Sequence, residues 1–245
     1  DHPEKFLDQF PVPVFQTGSG TQTNMNVNEV VANRANEILG GKLGEYKFVH
    51  PNDHVNMSQS TNDTFPTATL VGCVLSVEDN LLPSLELLEK SLGKKAKEFN
   101  KIIKVGRTHL QDATPIRLGQ EFSGYASMIS NDIKRVKNAV KECAKLPIGG
   151  TAVGTGINTI EGFDILATGF IAEETGIEFS VCDNKFELLS SQNAISNLSS
   201  QIKICAGSLN KIANDIRWLA SGPMAGLGEL TLPSNEPGSS IMPGK

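Results

Sequence analysis

The last eight residues of the chain place two adjacent hydroxyls and a cation on a segment that disfavours a helix. They run from Gly238 to Lys245 and read Gly-Ser-Ser-Ile-Met-Pro-Gly-Lys, and their glycines and proline break helices. The segment is close to a phosphate-binding loop, but five residues separate its glycines where such loops have four. The spacing therefore excludes a nucleotide loop. It leaves a polar loop in which a serine could act as nucleophile, base or hydrogen-bond donor.

The histidines and cysteines do not form a metal-binding pattern. His50 and His54 are four residues apart, which would place both on one helix face, but Pro51 disfavours a helix there. The cysteines are far apart, without a C-x-x-C pair, at positions Cys73, Cys143, Cys182 and Cys205. We therefore expect no metal, and we expect the thiols to be reduced and buried.

The net charge and the lack of long apolar stretches argue against nucleic-acid and membrane partners. The chain has 245 residues, is 39% hydrophobic and carries a formal net charge of -5. Binding to nucleic acid or to an anionic membrane surface needs a basic surface, so this charge argues against both. The sequence also contains no apolar stretch near the ~20 residues of a membrane span. We expect a globular protein with no nucleic-acid partner and no membrane partner.

Long helical patterns dominate the sequence. Apolar residues recur at steps of three and four over 70–92, 118–143 and 195–219. Pro83 lies inside the first run and is expected to kink it. Shorter helical patterns cover 27–39 and 163–175, while alternating strand patterns are few and short. Because such helices bury their stripes only against one another, the sequence predicts an all-α long-helix bundle with at most small β-hairpins.

Polar segments rich in Ser, Thr, Asn and Gly separate the helical runs. Taken singly, they read as helix caps, at Ser60 or Thr61, at Asn26 and at Thr114. Two of them contain a lone histidine, and together they indicate a shared polar pocket at the ends of the bundle. They cover 17–24, 50–53, 58–64, 106–115, 149–156 and the terminal loop.

In chain order, these segments resemble the class II fumarate hydratases of the fumarase/aspartase superfamily. The matching motifs are TGSGTQTNMN (17–26), VHPND (49–53), SQSTND (58–63), GRTHLQDATP (106–115), NDIRWLASGP (214–223) and EPGSSIMPGK (236–245). Aspartases carry Gln where this chain has His109, and Pro237 and Gly244 also favour a fumarase. The resemblance spans nearly the whole chain and implies the long-helix bundle of that superfamily.

The resemblance implies a reaction, the reversible anti addition of water to fumarate to give L-malate, without a metal or organic cofactor. It implies that Ser239 is the base that removes the carbon-bound proton, and that Lys245 helps to hold a carboxylate. His109 would handle water, as acid in one direction and base in the other. Histidine suits that role because its unperturbed pKa lies near neutrality.

The resemblance also implies two sets of binding residues. The donors expected around the substrate are Ser19, Gly20, Thr21, Asn24, Ser60, Thr61, Asn62, Thr108, Ser240 and Lys245. A second, non-catalytic dicarboxylate site would comprise His50, Pro51, Asn52 and Asp53. For this second set the alternative is a structured turn that needs no ligand.

The family pattern also implies an organisation. Residues 1–62 would be the end of an N-terminal domain with substrate-binding loops, and 63–245 a central helical-bundle domain that is incomplete at the catalytic loop. Family members are homotetramers whose active sites are shared between subunits. We therefore expect these 245 residues alone to be inactive or weakly assembled. The expected compartment is the cytoplasm or the mitochondrial matrix.

Two alternative functions stay open. One is a related lyase of the aspartase or argininosuccinate type, which releases fumarate by eliminating an amine. The other is a structural helical bundle that has lost its chemistry. The chain retains Ser239, His109, Asn62 and Lys245, which an inactive relative is free to lose, and this favours an enzyme.

Overall fold

A computed structural model describes residues 3–234 and 236–242. The chain forms two compact units. Unit 1 comprises Asp1–Glu78 and Ala139–Asn197, and unit 2 comprises Asp79–Asn138 and Leu198–Lys245. The expected division into 1–62 and 63–245 stays a prediction.

The described residues are mostly helical, which confirms the all-α prediction. The α-helices are α1 (Thr21–Ile38), α2 (Thr61–Ser76), α3 (Leu82–Glu98), α4 (Leu118–Cys143), α5 (Phe163–Thr175), α6 (Lys185–Ser190) and α7 (Asn193–Leu219). The shorter helical segments are two 3-10 helices, Pro3–Gln9 and Phe99–Lys101, and two π-helices, Pro51–Val55 and Val77–Leu81. In unit 2, side chains join α4 to its neighbours, since Lys137 pairs with Glu86 of α3 and Tyr125 donates to Asp215 of α7.

The first helical run is interrupted next to its proline. Helix α2 ends at Ser76, a π-helical turn covers Val77–Leu81, and α3 begins at Leu82. Pro83 has no N–H to donate to a carbonyl of the preceding turn, so regular α-helical bonding stops there. The expected disturbance at Pro83 is present as this π-helical turn.

Two of the expected helix caps are wrong. Helix α1 begins at Thr21, more than a turn before the expected cap at Asn26, because Gly20 in the left-handed region (φ 72°) opens it. The side chain of Asn26 donates to the Gln9 carbonyl oxygen at 2.9 Å instead of capping. Thr114 lies in a β-strand, and α4 begins only at Leu118.

Two small sheets accompany the helices. Strands β1 (Ile103–Thr108) and β2 (Gln111–Arg117) form an antiparallel hairpin with an irregularity between Val105 and Arg107. At that point a Cβ on Gly106 would lie 2.7 Å from the Thr114 carbonyl oxygen, so only glycine fits there. Strands β3 (Lys145–Leu146) and β4 (Ser180–Val181) pair in parallel. The expectation of hairpins alone is wrong for this second pair.

The apolar stripes bury as the periodicity predicts, most completely on α4. Its buried residues include Phe122, Ile129 and Val136, the last two with no exposed surface. Helix α7 is buried less evenly, since Ile202 is 38% exposed.

Three of the thiols are buried as expected, at Cys143, Cys182 and Cys205, whereas Cys73 is half-buried. Burial raises the pKa of the Cys143 thiol to about 11. This thiol therefore stays protonated near neutral pH.

None of the helices in the described residues combines the length and the apolar character that crossing a bilayer requires.

Candidate functional site

Most of the expected donors lie where the starts of α1 and α2 meet, within unit 1. The side-chain amide of Asn24 donates to the Thr61 hydroxyl at 2.8 Å, which joins the two first turns directly. The hydroxyls of Ser19 and Thr21 are 3.3 Å apart beside them. A Cβ on Gly20 would lie 2.1 Å from the Phe65 ring, so this turn packs on α2 only because residue 20 is glycine. The structure thus brings together donors that are distant in sequence.

A buried carboxylate fixes the start of α2. Ser60 is the N-cap, as expected, and Asp63 returns the contact by accepting from the Ser60 backbone N–H at 2.9 Å, which completes a capping box. The other Asp63 oxygen accepts from the backbone N–H groups of Gly149 and Thr151 at 2.9 and 2.8 Å. Asp63 has no exposed surface. It therefore locks the glycine-rich segment 149–156 against the α2 start.

An open cavity of about 570 Å³ lies beside this cluster. Ser19 and Asn62 line it, together with Phe65 and Ala152. The Asn62 side chain donates to the Ala152 carbonyl oxygen at 2.7 Å, which fixes the amide at the cavity wall. The cavity can hold a small molecule next to the Ser19 hydroxyl and the Asn62 amide.

His109 lies at the tip of the β1–β2 hairpin, in unit 2. His109 and Leu110 are the two turn residues between the paired Thr108 and Gln111, and both have positive φ, 54° and 59°. Such values are typical of a type I′ turn. Thr108 and His109 are exposed. Both line a second cavity, of about 600 Å³, with Trp218 among its walls.

Charged side chains lie along strand β1 of that hairpin. The Lys104 ammonium lies 2.6 Å from Glu121 and 2.9 Å from Glu229, and the Lys104 side chain is only 8% exposed. The Arg107 guanidinium lies 2.7 Å from the other Glu229 oxygen. Burial alone would raise the pKa of Glu229, but the hydrogen bonds from Arg107 and Lys104 outweigh it and hold that pKa below its usual value. Glu229 is therefore an anion at neutral pH.

The two expected serines of the terminal loop are exposed. Ser239 and Ser240 lie in an irregular segment, where the Met242 N–H donates to the Ser239 carbonyl oxygen at 3.0 Å. Within the described part of unit 2, no hydrogen bond joins His109 to Ser239. Lys245 lies outside the described residues.

The expected second site is a compact turn in unit 1. The His50 Nδ1 atom accepts from the backbone N–H groups of Asn52 and Asp53 at 3.2 and 3.3 Å. The backbone N–H of His50 donates to His54 Nδ1 at 2.8 Å. The expectation against a helix here is wrong, since Pro51–Val55 forms one π-helical turn. Proline is tolerated at a first helical position because that N–H has no partner in the helix anyway. The side chains of Asn52 and Asp53 are exposed, which leaves them accessible to a ligand.

The described residues contain no group of three or more His, Cys, Asp and Glu side chains arranged to hold a metal ion. Sequence reasoning missed two residues that the structure places at the centre of these regions. Asp63 has a sequence signal, because Ser60 and Asp63 match the S-x-x-D pattern of a capping box. Glu229 has no sequence signal, because its side-chain partners lie more than a hundred residues away.

The chain is similar to a known protein family. A family model described as Lyase matches residues 4–245. The chain is 59% identical to a mitochondrial fumarate hydratase from Schizosaccharomyces pombe over 97% of the chain and 46% of that protein.

Two solved structures are also similar. A fumarate lyase/delta crystallin from Brucella melitensis matches with a TM-score of 0.92 and 45% identity over 97% of this chain and 52% of that one. A class II fumarase from Schistosoma mansoni matches with a TM-score of 0.89 and 43% identity over 98% and 53%. The chain spans about half the length of the relatives it matches. Because the family model covers almost every residue, the chain belongs to this lyase family.

Proposed function

We propose that the protein containing this chain catalyses the reversible hydration of fumarate to L-malate by acid–base chemistry. The observation that carries the proposal is the cluster of neutral donors at the meeting point of the α1 and α2 starts, where Asn24, Thr61 and Asn62 are held by direct hydrogen bonds. The names of the similar proteins support the same reaction, since they include fumarate hydratases and a class II fumarase.

Neutral donors suit a dianionic substrate in a chain of net charge -5. Backbone N–H groups at a helix start attract anions, and short hydroxyl and amide side chains add directional donors. In this proposal Ser19, Thr21 and Ser60 complete the donor set of unit 1. Gly20 contributes by its backbone, because its left-handed turn opens α1.

The proposal also assigns the acid–base groups. Ser239 removes the proton from the carbon next to a carboxylate, and His109 protonates the departing hydroxyl, or activates water in the reverse direction. Thr108 and Ser240 donate hydrogen bonds, and Lys245 steadies the carboxylate on which charge develops. The exposure of the hairpin tip and of Ser239 supports these roles, because both are accessible to a substrate.

The wider assignments belong to the same proposal. The partners are a small dicarboxylate and further copies of the protein, in a homotetramer whose subunits share active sites. The turn of His50, Pro51, Asn52 and Asp53 is a second dicarboxylate site, and the exposure of the Asn52 and Asp53 side chains supports it. The relatives include proteins named as mitochondrial and bacterial class II fumarate hydratases, which supports the mitochondrial matrix or the bacterial cytoplasm as compartment.

The experiment that tests the reaction offers three substrates separately to the natural full-length protein. We expect fumarate to form from L-malate only, as measured by its ultraviolet absorbance. Fumarate from aspartate or argininosuccinate would assign the protein to an amine-eliminating lyase instead. No fumarate from any of the three would indicate a structural helical bundle.

A further inference from the structure

Glu229 joins two parts of unit 2 that are distant in sequence. Its side chain binds Arg107 and Lys104 of strand β1, at 2.7 and 2.9 Å. Its backbone N–H donates to the Leu219 carbonyl oxygen, the last residue of α7, at 2.8 Å, and the next N–H, of Leu230, donates to the same oxygen at 3.1 Å. Glu229 therefore connects the strand that leads to His109 with the end of α7.

The hairpin needs such an anchor. It is a two-stranded sheet of its own, pairing only β1 with β2 in the described structure, and an isolated two-stranded hairpin is at best marginally stable in water. Its tip, with His109 and Leu110 in the left-handed region, is exposed. Side-chain contacts along strand β1 must therefore fix where the tip lies. Arg107 is the critical one, because it stands two residues before His109.

The terminal segment begins at the same point. Beyond Leu230, residues 231–234 and 236–242 are exposed, and the hydrogen bond described there is internal to the turn at Ser239. Ser239 follows Glu229 by ten positions, a stretch that spans at most about 36 Å. The position of Glu229 thus sets the origin from which Ser239 can reach a substrate.

We propose that Glu229 is a positioning residue that holds the His109 hairpin in register with the root of the Ser239 segment. It acts through Arg107 and Lys104 and does not touch the substrate. This inference rests on the proposed function for its catalytic consequence. A misplacement of about 1 Å can cost about 10²-fold in rate, so loosening this anchor should lower turnover more than it lowers substrate binding.

The test compares Glu229→Gln with Glu86→Gln in the natural full-length protein. Glutamine keeps an acceptor for Arg107 but loses the charge that binds two cations. Glu86 is the matched control, because it is an exposed carboxylate of unit 2 that pairs with Lys137 at 2.7 Å. We expect Glu229→Gln to lower kcat about 10-fold or more with KM within about threefold of wild type. Glu86→Gln should leave both unchanged.

A double variant separates positioning from a general loss of structure. If Glu229 acts through Arg107, then Arg107→Gln combined with Glu229→Gln should reduce kcat no further than the more severe single variant. Independent structural damage would make the two losses multiply. Multiplying losses, or an unchanged kcat in Glu229→Gln, would overturn the proposal.

Hydrogen exchange provides a readout that does not depend on activity. In Glu229→Gln, amides of 103–117 and 227–234 should exchange faster than in wild type, while Glu86→Gln should change neither segment. Unchanged exchange in both segments would overturn the anchor even if the enzyme were active. If the wild-type protein hydrates no fumarate, the proposed function fails by itself, and the exchange rates still decide whether Glu229 anchors the hairpin.

Discussion

The start of α2 and the terminal segment hold their functional groups in opposite ways. At the start of α2, the fully buried Asp63 accepts three backbone N–H groups, and Asn62 is fixed to the Ala152 carbonyl oxygen. At Ser239, the chain is exposed and the described bonding is one turn contact to Met242. The hydrogen bonds at the α2 start are therefore formed without a ligand. The position of Ser239 depends on the contacts that its segment makes with a substrate.

This difference separates binding from chemistry. Donors that are already oriented stabilise a bound anion without reorganisation. A nucleophile or base on an exposed segment must be brought to the substrate, and such segments commonly limit turnover. Changes at the α2 start should therefore affect stability and substrate binding together. Changes at Ser239 should affect turnover and leave stability and binding intact.

The largest expected effect is on turnover, from Ser239→Ala. Loss of a positioned base typically costs about 10²–10⁴-fold, and we expect kcat for L-malate dehydration to fall by that amount. Because the donors of unit 1 are untouched, the dissociation constant for succinate, an unreactive dicarboxylate, should stay within about threefold of wild type. Steady-state kinetics and titration calorimetry measure the two quantities.

Ser234→Ala is the matched control, because Ser234 is an exposed serine of the same segment with no proposed role. It should change neither kcat nor succinate affinity. A kcat for Ser239→Ala within about tenfold of wild type would remove Ser239 from the role of base. A lost succinate affinity would mean that the terminal segment also builds the binding site, and the separation of binding from chemistry would fail.

The next effect is on stability, from Asp63→Asn. Whichever way the amide is turned, its NH₂ group faces a backbone N–H that formerly donated to Asp63, either that of Ser60 or those of Gly149 and Thr151. A buried donor left without an acceptor costs about 1–3 kcal/mol, so the free energy of unfolding should fall by about that amount. The KM for L-malate should rise as well, because Asn62 loses its fixed position. Urea unfolding and steady-state kinetics measure both.

Asp183→Asn controls for the loss of a carboxylate in the same unit. Asp183 pairs with Lys145 but its side chain is 84% exposed, so we expect little change in the free energy of unfolding. Equal losses in the two variants would show that the buried contacts of Asp63 add nothing. A loss of stability without a change in KM would show that the α2 start is a structural cap only.

The sequence predicts the helices better than the connections. The stripe on α4 is buried almost without exception because periodicity reports directly which face meets the core. Helix starts are harder, since Gly20 opens α1 by its left-handed backbone and carries no capping side chain. The β1–β2 hairpin escaped prediction for a similar reason. His109 and Leu110 form its turn with positive φ, although neither is a residue that usually marks such turns.

The sequence names candidate site residues but not the residues that support them. Local motifs name Ser60, Asn62 and His109, because each motif is continuous in sequence. Asp63 and Glu229 act across 86 and more than a hundred residues, and no local pattern encodes a partner at that distance. Only the folded chain shows which backbone N–H groups meet a carboxylate.

The smallest expected effect is on stability, from Asp164→Asn. Asp164 contacts the glycine-rich segment 149–156, which Asp63 also holds. Asp164 packs on Gly149, where a Cβ would lie 2.6 Å from the Asp164 Cβ, and it binds Lys185 at 2.6 Å. The Lys185 hydrogen bond holds the pKa of Asp164 below its usual value, against the opposing effect of burial. A carboxyl whose pKa is lower in the folded state stabilises the fold above its unfolded pKa, and that stabilisation is lost as the pH falls through the folded pKa.

Asp164→Asn should therefore lower the free energy of unfolding by up to about 1 kcal/mol at neutral pH. The gap to wild type should be constant down to about pH 5 and should close as the pH falls below the usual Asp pKa near 3.9. Urea unfolding across this pH range measures it. Lys185→Met removes the same ion pair and should show the same closing gap. A gap of equal size at all pH values would mean that the charge of Asp164 contributes nothing to the pre-formed region.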